Sequence, residues 1–271
     1  LPQFKLPDLY YDFISIVNPI PDWGTVGFHI VFLNLGETER RDELNTPLGT
    51  FRTFETAIAA SYGSTITPQT GLGLNVKFVY SHLSDRGAGQ EKGSGVGTVF
   101  AFDLGILHRT HDPILGKELR LGANLANMGP KMAYIDRAQA DPIPTNLKAG
   151  FAWTLFDDSY NRLTWVGDIN KLLVRKHSDG STDPFYIALF TAWTDEPFFL
   201  DLIYNTGLEY WYTDMIALRI GYWNDELGKV KPLTFGASLK VAAYLFDFSY
   251  ISAGKGHPLT DTMRFSLTFG L

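Results

Sequence analysis

Six histidines, His29, His82, His108, His111, His177 and His257, are the first places to look for metal or acid–base chemistry. Only His108 and His111 lie close together, and a zinc site wants three or four converging ligands. The carboxylates Glu55, Asp103, Asp168, Glu209 and Asp247 could in principle move protons, but their alternation with cations along the chain favours a structural charge network over acid–base chemistry. There is no G-x-S-x-G elbow and no phosphate-binding loop of the G-x-x-x-x-G-K-[ST] type. Gly87-Ala88-Gly89 and Gly93-Ser94-Gly95 are loop glycines without the strand–turn–helix a phosphate cradle needs. The 271 residues contain no Cys, so a disulfide scaffold, a thiolate metal site and a cysteine nucleophile are excluded. The expectation is a protein that is not an enzyme, with no catalytic residue, no metal and no cofactor.

The elements that carry these charges are more informative than the charges themselves. A formal charge of -6 and the absence of any Lys/Arg run argue against nucleic acid. A membrane-spanning helix needs about 20 mainly apolar residues. The longest uncharged stretch, residues 56–76, is broken by Gly63, Pro68, Gly71 and Gly73. No initiator Met or signal peptide opens the sequence, so the expectation is that a natural N-terminus precedes Leu1.

Period-two alternation runs through the chain. Residues 232–243 place Leu233, Phe235, Ala237, Leu239 and Val241 on one face against Thr234, Gly236, Ser238 and Lys240 on the other. Residues 71–83, 146–155 and 261–270 repeat the pattern, and further strands are expected at 9–17, 24–35, 51–63, 96–108, 118–127, 162–172, 206–213, 215–223 and 245–252. These make thirteen strands in a single domain, residues 1–271. Nearly every one carries one charge near its middle on the polar face: Glu55, Lys77, Asp103, Arg120, Lys148, Asp168, Glu209, Arg219, Lys240, Asp247 and Arg264.

A soluble sandwich would show several Lys, Glu and Thr on each solvent face and hide its apolar face. Here the polar face is sparse and balanced in sign, and the apolar face is broad and aromatic. That is the pattern of an inside-out barrel, with lipid outside and a charge-lined lumen. Each charge placed on the lipid face would cost about 2–4 kcal/mol at the midplane. A lumen charge network is therefore expected to unite the eleven residues just named.

Two further signals agree. Tyr62, Tyr80, Trp153, Trp165, Tyr210, Tyr212, Tyr222, Trp223, Tyr244 and Tyr250 lie toward strand ends, where headgroup girdles sit. Connections alternate long (36–50, 84–95, 128–145, 173–205, 224–231, 253–260) and short (64–70, 109–117, 157–161, 213–214 and near Tyr244), as in outer-membrane barrels with long extracellular loops. The fold class expected is an all-β, antiparallel transmembrane outer-membrane β-barrel. Because bacterial barrels have even strand numbers, a fourteenth strand is expected upstream of Leu1.

The loop at 173–205 holds Phe185, Tyr186, Ile187, Phe190, Trp193, Phe198 and Phe199, an apolar load that needs cover. It reads as a partly helical lid, as a docking surface for a partner protein, or as both. The loop at 128–145 is the second docking candidate: it carries Tyr134, and Pro130, Pro142 and Pro144 reduce the entropy it loses on binding.

Several segments resemble a known family. These are Asn127-Met128-Gly129-Pro130-Lys131-Met132-Ala133-Tyr134, then Pro144-Thr145-Asn146-Leu147-Lys148-Ala149-Gly150, and Gly207-Leu208-Glu209-Tyr210-Trp211-Tyr212. Ala217-Leu218-Arg219-Ile220-Gly221-Tyr222, Asp247-Phe248-Ser249-Tyr250, Asn34-Leu35-Gly36 and Thr50-Phe51-Arg52 follow the same pattern. In order along the chain they resemble the PorV/PorQ family of outer-membrane proteins, PorV more than PorQ. The resemblance implies a 14-stranded barrel related to the FadL fatty-acid transporters, in the outer membrane of Bacteroidota-type bacteria. It also implies work in type IX secretion: binding the C-terminal signal domain of cargo at the translocon barrel, then delivery to a cell-surface sortase complex for attachment to lipopolysaccharide. One departure is the end of the chain, where Phe269 is followed by Gly270-Leu271 rather than closing on an aromatic residue. A FadL-like transporter of hydrophobic small molecules is the alternative function.

Overall fold

The computed structural model describes residues 9–41, 44–85, 93–136, 139–194, 200–254, 257 and 259–270. Thirteen strands follow in chain order: β1 (Tyr10–Ile20), β2 (Gly24–Arg41), β3 (Pro47–Thr67), β4 (Thr70–Ser84), β5 (Gly95–His111), β6 (Glu118–Met128) and β7 (Asn146–Asp157). The remainder are β8 (Asn161–Leu172), β9 (Leu202–Tyr212), β10 (Ile216–Asn224), β11 (Leu233–Val241), β12 (Tyr244–Ser252) and β13 (Thr262–Phe269), with one helix, α1 (Phe185–Thr191), between β8 and β9. They form a single sheet in sequence order, each strand antiparallel to the next. This is the all-β, antiparallel architecture of the barrel class. Among the described residues β1 and β13 are its two ends, and no pairing joins them.

The two faces reverse the usual inside and outside. Among the described residues the buried hydrophobic side chains are Ala59, Val99, Ala101, Met128, Met132, Leu173, Ala188, Ala192, Leu202 and Ala217, with no aromatic residue and no Ile among them. Phe100 is 65% exposed and Phe265 76% exposed, and exposed Leu, Ile, Val and Phe recur at alternate positions along the sheet. On β5 the outward row is Phe100, Phe102, Leu104 and Ile106, while Val99, Ala101 and Asp103 face inward. A chain folding in water would bury that row, because each large apolar side chain removed from water contributes about 1.5–3 kcal/mol. Here it forms a belt. No helix among the described residues is long and apolar enough to cross a membrane.

The register fixes which side chains share a face, because slipping by one residue would turn a whole strand over. Lys77 pairs with Ala101 and Asn75 with Asp103, so Lys77 and Asp103 lie diagonally on the inner face. Arg219 stands opposite Glu209 on one side and Gly236 on the other.

The long–short alternation differs from expectation in one place. Residues 36–50 are mostly strand: β2 runs to Arg41 and β3 begins at Pro47, across bulges at Asn34/Gly36 and Glu39/Arg41. This hairpin extends beyond the apolar belt, and its exposed pairs Arg52–Glu37 (3.0 Å) and Arg41–Glu39 (2.7 Å) suit it to water. At the other end the turns are tight. Thr213 (φ 53°) and Asp214 (φ 55°) take the left-handed conformation a short hairpin turn requires.

Candidate functional site

Eleven charges were expected to form one lumen network, and the structure sorts them into three clusters and four outliers. The first cluster joins β4, β5 and the end of β6. Lys77 Nζ lies 2.7 Å from Asp103 Oδ1, with side chains only 14% and 15% exposed. Asp103 also accepts the Asn127 backbone N–H at 2.7 Å and the Asn75 side-chain amide at 2.8 Å. Lys77 donates to Asn127 Oδ1 at 2.5 Å. With several donors on one carboxylate, the pair is satisfied as a buried ion pair must be. The second cluster sets Lys148 3.6 Å from Asp168, which also accepts from Asn170 (2.9 Å) and Asn205 (2.6 Å). In the third, Arg219 lies 2.6 Å from Glu209 and 3.4 Å from Asp247, and donates to Ser238, which donates in turn to Asp247. Its guanidinium also lies 5.6 Å from the centre of the Trp211 ring.

The outliers correct the single-network expectation. Glu55 accepts from Ser81 Oγ at 2.9 Å rather than from a cation. Arg120 sits near the turn end of β6 and lies 3.6 Å from Glu118 on its own strand. Among the described residues, no ion pair joins Lys240 or Arg264, and Arg264 is exposed on the terminal strand β13. Ion pairing falls off steeply with distance, so register decides which of these charges meet.

Residues 129–136 and 139–145 fold over the inner face of upper β5. Gly129 packs so closely on β5 that a Cβ there would lie 2.5 Å from the Phe100 carbonyl oxygen and 3.3 Å from Ala101 Cα. Met132 exchanges backbone hydrogen bonds with Asp141 (2.8 and 3.0 Å) and lies over Gly97 beside Tyr134. Tyr134 was expected on a docking surface. Its hydroxyl instead reaches inward and donates to Ser81 Oγ at 3.1 Å, linking the connection to Glu55 through a fully buried serine. The small Gly97 on the inner face of β5 leaves the room that it and Met132 occupy. Pro130 is exposed and Pro142 half-buried, so the rim stays accessible. Lys131 Nζ donates to the Thr182 carbonyl at 2.6 Å and ties this connection to the next one. Gly129→Ala is expected to push the connection off β5 and cost about 1–3 kcal/mol; the thermal unfolding midpoint of the folded barrel checks it.

The 173–201 connection divides its apolar residues. Phe185 packs edge-on against Phe102 (centroids 6.1 Å apart), and Ala188 and Ala192 are buried. Tyr186, Ile187, Phe190 and Trp193 are exposed. Phe198 and Phe199 lie outside the described residues.

Two features had weaker signals in the sequence. Asn127 takes a left-handed φ of 59° at the end of β6 and ties Asp103, Lys77, Pro144 and Thr145 together. The N-M-G-P run hinted at a strand end there, but not at its partners. Lys171, on the outward parity of β8, is 2% exposed and pairs with Asp201. A buried lysine on that face is legible only once the fold is known.

At the short-turn end, Asp112 closes the β5–β6 turn. Burial alone would push its carboxyl up, but N–H groups of Leu115, Lys117 and Ile114 at 2.7–3.0 Å more than offset it and hold it down at about 2. Its folded pKa lies below the ordinary 3.8, so the stabilisation is complete above that value and is lost as pH falls through about 2. Asp112→Ala is expected to leave this turn open to proteolysis at every pH. In the wild type, pepsin sensitivity should rise as pH falls from about 4 toward 2. Asp158 does the same for the β7–β8 turn, its carboxyl lowered by the N–H groups of Tyr160 and Asn161.

Among the described residues, no three of His, Asp and Glu are grouped so that they could hold a metal ion. His108 Nδ1 lies 2.9 Å from Thr70 Oγ1, across from β4. The inner clusters are charge-neutralising and hydrogen-bonded, and they brace strands against one another.

Comparison with known proteins agrees with this architecture. A search of curated proteins found no match. The family model described as "Type IX secretion system protein PorV" matches residues 4–179, well over half the chain. With the all-β antiparallel sheet and its outward apolar belt already described, this match shows that the chain belongs to the PorV family of type IX secretion system proteins.

Proposed function

We propose that this chain is the outer-membrane barrel that receives the C-terminal signal domain of secreted cargo at the type IX translocon and passes it to the cell-surface sortase complex. The barrel acts as a plugged anchor, and the work is done by its long-loop end, facing outside the cell. The observation that carries this reading is the folded connection 129–145. It is held over upper β5 by Tyr134–Ser81, Lys131–Thr182 and the Gly129 contact, and its proline-bearing rim stays exposed. A rim already ordered loses little entropy on docking. The polar β2–β3 hairpin offers charges of both signs. No chemical step is assigned to the protein; it binds and delivers. Transport of hydrophobic small molecules through the lumen is disfavoured by the inward-held Tyr134 and the ion-paired interior.

The test is capture of a purified cargo signal domain by the complete protein in detergent, against a variant in which residues 130–136 are replaced by Gly and Ser. Loss of affinity of at least about tenfold, or about 1.4 kcal/mol, is expected while the barrel stays folded. Undiminished capture by that folded variant would remove the basis for the reading.

A further inference from the structure

The wall of the barrel is uneven beside β5. β6 stops at Met128, opposite Phe102, while β5 continues to Gly95 with β4 as its partner. The outward side of upper β5 therefore lacks the strand neighbour that it has lower down. α1 arrives at this place, with Phe185 edge-on to Phe102. The outward side chains leading to it make two runs of ring contacts, Tyr10–Phe32 (6.0 Å), Phe32–Phe54 (5.7 Å) and Phe54–Tyr80 (5.9 Å) across β1–β4, and Phe78–Phe100 (5.1 Å) between β4 and β5. Phe102, the next outward residue along β5 after Phe100, meets Phe185 of the helix.

The helix itself is unlike one built for water. Residues Phe185–Thr191 contain no charged side chain. Its buried side carries the small Ala188, with Ala192 just beyond, whereas Tyr186 and Phe190 are 59% and 77% exposed. A surface helix in water puts large apolar residues inward and charges outward; this one puts its large apolar residues outward. The Trp193 indole N–H is already satisfied by the Leu189 carbonyl at 2.8 Å, so it does not need water. Lys171 shows that the connection lies on the outer side of the wall: it has the outward parity of β8, yet is covered and paired with Asp201 of that connection.

We infer that α1 lies in the outer leaflet, with Tyr186, Ile187, Phe190 and Trp193 against lipid acyl chains, completing the hydrophobic belt where β6 ends short. The occupant is hydrocarbon because the exposed apolar face lies beside the outward row of β5, docked on it through Phe185 and Phe102. The inference rests on the reading that this belt faces the outer membrane.

The 271 residues contain no cysteine, so an introduced one labels a single site within them. Phe190→Cys, Phe100→Cys and Asp214→Cys, each carrying bimane, are compared in the complete protein reconstituted in phosphatidylcholine–phosphatidylglycerol vesicles. Each variant is first checked for the heat-resistant folded form. Brominated phosphatidylcholine should quench position 190 as it does position 100, and iodide should quench only position 214. Iodide quenching at 190 equal to that at 214 would overturn the inference. So would shielding of 190 from both quenchers while 100 is quenched by bromolipid, since a protein would then cover the helix. Iodide quenching at position 100 as well would overturn both this inference and the membrane placement of the belt.

Discussion

Asp103→Ala is expected to be among the most damaging single substitutions in the chain, lowering stability by about 3 kcal/mol. It leaves the Lys77 ammonium, only 14% exposed, without its carboxylate. It also releases the Asn127 N–H and the Asn75 amide, whose acceptor it was. Asn127 ends β6 and holds both Pro144 and Thr145, so the fault should spread to the connection 129–145. Removing one member of a buried pair is costly because the other charge remains desolvated. Pairing the change with Lys77→Met should therefore recover much of the loss. Chemical denaturation of the refolded barrel in detergent, run on both single variants and the double variant, measures that coupling. Equal losses in Asp103→Ala and the double variant would show that the ion pair is not what braces these strands.

The second large effect lies on the other face. Leu104→Arg puts a guanidinium into the outward row of β5, where Leu104 is 49% exposed beside Phe102 and Ile106. If that row meets hydrocarbon, the cost is about 2–4 kcal/mol near the midplane. In water, adding a charge to a half-exposed position would cost little. Thr234→Arg, on the inner face of β11, is the comparison and should cost less. Folding yield into lipid vesicles separates the two. A Leu104→Arg variant that inserts as well as the parent would be incompatible with a lipid-facing row.

Much of this fold was readable in the residues because its dominant signal is period two. A strand such as β11 displays Leu233, Phe235, Ala237, Leu239 and Val241 on one side whatever its neighbours are. What escaped was whatever depends on register or lacks alternation. Residues 36–41 and 47–50 show no apolar alternation and looked like loop, yet they pair as strand because the hairpin is already closed below them. The central charges could be assigned to a face but not to partners. Arg219 finds Glu209 on the adjoining β9 and reaches Asp247 across Ser238 of β11 because the register lines them up, whereas Arg120 lies beside Glu118 of its own strand. Tyr134 lies in a proline-rich loop that gives no sign of direction; the space above Gly97 on β5 and the hydroxyl of Ser81 hold it inward. α1 is too short for its helical period to stand out.

The most direct test is a cysteine scan along β4 from Leu72 to Ser81, spin-labelled in lipid bilayers and read for collision with oxygen against a water-soluble nickel chelate. The account predicts strict alternation, with labels at Leu72, Leu74, Val76, Phe78 and Tyr80 reached by oxygen from the lipid. Those at Gly73, Asn75, Lys77, Val79 and Ser81 should be protected from lipid. Nickel access at the even positions equal to that at the odd ones, or an inverted pattern, would contradict it.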